Sequence, residues 1–120
     1  MAIKAVDGLD FKDQKSIRIR FQEYNPNGNG RPYEEDLTEE GYHADSIADL
    51  PIPGDYLGLT VDRFIDGHGV NARFEKKGII FKVLTRLFDF QVFDNKDIIL
   101  CNIVVQEETD QNIVGRLIKD

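Results

Sequence analysis

The sequence predicts a β-rich α+β domain: an antiparallel, strongly coiled sheet or small β-barrel of four to six strands, with one or two short helices. Three observations carry this. Between Ser16 and Tyr24, Ile17, Ile19 and Phe21 alternate with Arg18, Arg20 and Gln22, the period of a half-buried strand. Ile79 to Phe93 and Ile98 to Glu107 are β-branched and aromatic runs joined by Asp94-Asn95-Lys96-Asp97, the pattern of a long hairpin. Helical spacing is seen at Gln111 to Lys119, where Ile113, Val114, Leu117 and Ile118 would form one face of a short helix, weakened by Gly115.

Met1 to Lys15 has no sustained period and reads as a lead-in segment. Asn25 to Pro32 is rich in Asn, Gly and Pro and must be a loop, since these residues favour turns and end strands. Asp36 and Glu39 have capping-box spacing, which predicts a single helical turn stopped by Gly41. Tyr42 to Leu50 fits either a short strand or an irregular crossing. Pro51-Ile52-Pro53-Gly54-Asp55 predicts a tight turn, because the prolines fix φ and Gly54 admits a positive one. Tyr56, Leu57, Leu59 and Val61 then predict a strand running toward Phe64, with Gly58 as a bulge or close-packing point, and Asp66 to Gly69 a loop.

Within the first arm of the hairpin, Phe81, Val83 and Leu87 share one phase, whereas Phe88, Phe90 and Val92 share the other. The inward face is therefore expected to switch near Leu87, through a bulge or sharp coil. In the second arm Ile99, Cys101, Ile103 and Val105 make one apolar face, and Ile98, Leu100 and Val104 make the other apolar too. Both faces then need cover, from a second layer, barrel closure or another subunit, so a homodimer is expected.

The 120 residues are read as one domain, 1–120, and 41% hydrophobic with 31% charged side chains places the chain among folded proteins rather than disordered ones. No apolar run is long enough to cross a bilayer, and the N-terminal residues lack the basic and apolar regions of a signal peptide, so a soluble cytoplasmic protein is expected. Cys101, the single cysteine, lies beside Leu100 and Ile103 and reads as a buried small hydrophobe. The formal charge is −7, and residues 34–66, with ten acidic side chains and one basic, carry a negative excess larger than that of the whole chain. That distribution disfavours nucleic acid and anionic lipid, which need Lys and Arg to displace counterions.

Asn25-Pro26-Asn27-Gly28-Asn29-Gly30, continued to Asp36, resembles over twelve residues the calcium loop of helix-loop-helix hands. Three of its four side-chain ligands would be neutral amides, Pro32 takes an aliphatic position and a strand precedes it, so a turn is the better reading. His43 with Asp45, and Asp62 with Asp66 and His68, bring imidazole near carboxylate without the spacing of a zinc site. Ser16 and Ser46 sit in no nucleophile-elbow context, and Gly28, Gly30 and Gly54 fit neither a P-loop nor a dinucleotide fingerprint. No catalytic residue, metal or cofactor is assigned.

The expected function is a non-enzymatic binding module of bacterial or phage type, self-associating, whose acidic Glu34, Glu35, Asp36, Glu39 and Glu40 contact a basic protein partner. The alternative is a small-molecule or enzymatic pocket at a barrel mouth, using Asp55, Tyr56, His68 and Arg73.

Overall fold

The structure, a computed structural model, describes residues 4–6, 16–38, 41–93 and 96–117. Six strands form one mixed sheet: β1 (Lys4–Val6), β2 (Ser16–Glu23), β3 (Gly41–Ala44), β4 (Tyr56–Asp66), β5 (Arg73–Phe93) and β6 (Lys96–Glu107). Their spatial order is β1-β3-β2-β6-β5-β4, and the sheet curls into a half-barrel. A single α-helix, α1 (Gln111–Leu117), follows β6, and short 3-10 turns occupy Ile47–Asp49 and Gly69–Asn71. No helix among the described residues is long and apolar enough to cross a membrane.

The alternation in β2 puts Ile17, Ile19 and Phe21 on the inner face of the curl, in register with Ile99, Cys101 and Ile103 of β6. Leu59 and Val61 of β4, Phe81 and Val83 of β5, Val105, Ala44 and Leu50 complete this core. Phe81, Ile103 and Val105 have no exposed surface at all. Burying a side chain of that size contributes roughly 1.5–3 kcal/mol, so the inner face holds the fold together.

The antiparallel expectation holds for four of the five pairings, but β2 runs parallel to β6. Either direction would align the two apolar faces, so the pattern of side chains does not fix it. The long β5–β6 hairpin does form, and its face does switch. The register shift falls between Val83 and Thr85, however, at Leu84 rather than near Leu87. Before it Phe81 and Val83 point inward; after it Phe88 and Phe90 oppose Cys101 and Ile99, and Leu87 is left outside, 66% exposed.

Gly58 carries no bulge: the irregularity in the β4–β5 ladder lies between Phe64 and Asp66. Asp36 starts no helical turn within the described residues; its Oδ1 accepts from the Thr38 amide at 3.2 Å, closing a local turn, and Glu39 and Glu40 lie outside those residues. Tyr42 belongs to β3, and the crossing that follows holds the 3-10 turn capped by the Ser46 hydroxyl. Asp94 and Asn95 of the expected hairpin tip, and Ile118 of the helix, also lie outside the described residues.

On the outer face of β6, Ile98, Leu100 and Val104 are half-buried. Leu100 stands between Arg18 of β2 and Asp89 of β5, and Val104 between Gln22 and Thr85.

Candidate functional site: the outer edge of strand β4

The four residues expected at a barrel mouth are not brought together. Asp55 and Tyr56 stand at the start of β4; His68 and Arg73 lie beyond its other end, separated by eleven residues of strand, about 35 Å. Each is also engaged locally. Asp55 Oδ2 accepts from the Ile52 amide at 2.9 Å, Tyr56 donates to Glu108 at 3.1 Å, and Arg73 pairs with Asp66 at 2.9 Å. His68 forms the N-terminal flank of the exposed 3-10 turn. Burial and the adjacent Glu108 raise the Tyr56 phenol above its ordinary value, which keeps it a neutral hydrogen-bond donor.

Of the acidic group, Glu34, Glu35 and Asp36 are exposed on the segment that runs beside β2, where the Tyr33 and Leu37 amides donate to Glu23 and Phe21 carbonyls. Asp36 is occupied by its own turn. Behind this segment the Gln22 amide donates to the carbonyls of Tyr33 and Glu34 at 2.9 and 3.0 Å, and its oxygen accepts from Asn102. The Arg20 guanidinium donates to the Glu34 carbonyl as well. These bonds anchor the acidic segment to the outer face of the sheet and leave the Glu34 and Glu35 side chains toward solvent.

The calcium-like loop is a turn stabilised from within. Asn25 Oδ1 accepts from the Asn27 amide at 2.9 Å, and Asn29 and Gly30 take positive φ values of 52° and 85°. His43 and Asp45 approach to 3.9 Å at the end of β3, and no group of three metal-ligating side chains occurs among the described residues.

At one end of the core, Arg63 bonds both oxygens of Glu23, at 2.9 and 3.0 Å, and reaches Glu107 at 3.2 Å. The paired carboxylates, Glu23 first, raise the guanidinium further above its ordinary value. With its guanidinium 5.8 Å from the Phe81 ring centre, Arg63 closes that end of the half-barrel as a structural plug.

In addition to the exposed Leu87 and Phe90 of β5, the protomer leaves open a surface along β4. Among the described residues this strand is the last in the sheet, and its eleven residues pair with β5 on one side only, so the other side presents a row of backbone donors and acceptors. A cleft of about 480 Å³ runs beside it, between Leu37, Thr38 and Tyr42 on one wall and residues 58–62 of β4 on the other. At the far end of the β4–β5 hairpin Phe64 and Phe74 meet edge to face, with ring centres 5.8 Å apart, yet both are more than half exposed. Ile65 is 45% exposed and Val70 wholly so. Large apolar side chains clustered in water mark an interaction surface more often than chance exposure does.

In the sequence Phe64 reads as a strand end, and Ile65, Val70 and Phe74 carry no expected role. The adjacent pair Phe64-Ile65 was the available signal, because neighbouring residues point to opposite faces of a strand and this one is apolar on both. No protein-family model, curated protein or solved structure matches the chain.

Proposed function

We propose that the chain is a non-enzymatic protein-binding module that adds an extended segment of its partner to the free edge of β4. The observation that carries this reading is the unpaired eleven-residue edge with a cleft beside it. Strand addition supplies affinity through main-chain hydrogen bonds, and alternate side chains supply specificity. Here the inward positions of an added strand would meet Leu37 and Tyr42, which are only partly buried against the core. Phe64 and Phe74 add an aromatic anchor at one end, the kind of side chain that dominates binding energy.

Glu34 and Glu35 give the same module its electrostatic bias. Exposed like charges accelerate the approach of an oppositely charged partner more than they tighten the final complex, so a basic partner is steered rather than held by them. The alternative of a small-molecule pocket loses its supporting arrangement with Asp55 and Tyr56 at one end of β4 and His68 and Arg73 at the other. The cytoplasm is the setting we assign, because the one cysteine allows no internal disulfide to brace this small core.

The test is selection of displayed random peptides on the immobilised chain, repeated on Gly58→Lys, which puts a charge on an exposed edge position. Selected peptides are expected to alternate apolar and polar residues and to lose at least tenfold in affinity for the variant. Peptides indifferent to Gly58→Lys, or no selection at all, would overturn the reading.

A further inference from the structure

Resting on that reading, we propose that the strand added to β4 is β4 of a second copy, paired antiparallel about a twofold axis at Val61. Two features lead there: the charge order along the strand, and an unneeded glycine set opposite the exposed Phe64.

A twofold axis normal to the sheet keeps inner face beside inner face, so residues of equal parity must stand opposite one another. The axis can then pass near Thr60, Val61, Asp62 or Arg63. At Asp62 or Arg63 it would set two like charges directly opposite each other, which destabilises a strand pair. At Thr60 it sets Asp62 against the partner's Gly58 and Phe64 against the partner's Tyr56. At Val61 the regular run 58–64 pairs with itself throughout and ends at the irregularity between Phe64 and Asp66. Asp62 then faces the partner's Thr60 and Arg63 the partner's Leu59, with no like charges opposed.

Gly58 is the second feature. It lies inside a strand without a positive φ, and a Cβ there would meet only Ile80 Cδ1, at an ordinary 3.7 Å. Nothing in the contacts of the described residues asks for glycine, which weakens a strand relative to alanine. In the Val61 register the partner's Phe64 stands over Gly58, beside Ile80, which is the β5 neighbour of Gly58. An aromatic ring laid across a strand glycine restores the packing that the missing side chain forfeits.

The same register covers Phe64, 59% exposed, which finds the partner's Gly58. By symmetry the contact occurs twice.

Thiol cross-linking reads the register directly. The double variant Thr60→Cys, Asp62→Cys changes two exposed positions, and Cys101 is buried and silent. Mild oxidation is expected to give a dimer, reversed by dithiothreitol, from the double variant and from neither single variant. A cross-link through Thr60→Cys alone or Asp62→Cys alone would move the axis and overturn the register; no cross-link at all would overturn the pairing. Sedimentation equilibrium supplies a second measure: Gly58→Ala should weaken self-association at least tenfold while raising the urea midpoint of the monomer, and unchanged association would count against the aromatic seat. If the wild-type chain sediments as a monomer yet still selects peptides in a Gly58-dependent way, the second copy is excluded and strand addition survives. If both fail, both fall.

Discussion

Cys101 is 1% exposed among Ile19, Phe88 and Ile103, and its burial raises the thiol above its ordinary value of 9.0, with Arg86 opposing the rise only in part. The neighbours Leu100 and Ile103 made that burial legible, since a short apolar run around a lone thiol belongs to a core strand. The consequence has a definite sign. The unfolded thiol ionises as pH passes about 9 and the folded one does not, so its contribution favours unfolding increasingly above that pH and is absent below it. Replacing Cys101 with Ala should therefore flatten the loss of stability measured in urea between about pH 8 and 10, while native wild-type protein should react with a thiol reagent many times more slowly than the unfolded chain. A native thiol as reactive as an unfolded one would contradict the burial.

The extra residue at Leu84 decides which half of β5 faces the core. Ahead of it Phe81 and Val83 point inward, and behind it Arg86 and Phe88 do, with Arg86 donating to the Pro51 carbonyl at 3.2 Å. Deleting Leu84 would join Val83 to Thr85, which already oppose Val105 and Val104, so the ladder would become regular with Arg86 and Phe88 still on the inner face. The expected result is a chain that keeps a cooperative urea transition, as Leu84→Ala should; loss of the transition or aggregation in the deletion variant alone would show that the local twist of the bulge is itself required. The sequence located the switch only to within a turn of strand. Leu84 and Leu87 are both apolar, so parity alone permits the change at either, and only the pairing with Val104 and Val105 selects the first.

The whole molecule carries −7, and two copies brought together carry twice that. Residues 62–77 lack the negative excess of residues 34–61, with Asp62, Asp66 and Glu75 against Arg63, Arg73, Lys76 and Lys77. Contact through this hairpin places a nearly neutral part of each copy at the centre. The remaining acidic surfaces still repel at longer range, and salt screens that repulsion. Self-association measured by sedimentation should tighten between about 0.05 M and about 0.5 M salt; weakening over that range would mean that attraction between acidic and basic surfaces, rather than apolar strand pairing, holds the copies together.

Local chemistry along the chain was enough to establish strands β2, β4, β5 and β6 and most of the core side chains they carry, because alternation with period two and the Pro and Gly breaks are properties of neighbouring residues; β1 and β3 were not readable in this way. Ile17, Ile19 and Phe21, and Cys101, Ile103 and Val105, were readable in this way. It also indicated that the outer face of β6 is apolar. Sheet order, the parallel joining of β2 to β6, the separation of Asp55 and Tyr56 from His68 and Arg73, and the unpaired edge of β4 were settled only in three dimensions. Each depends on which segments, distant in sequence, share a hydrogen-bond ladder, and an apolar face can be buried against several alternative neighbours equally well.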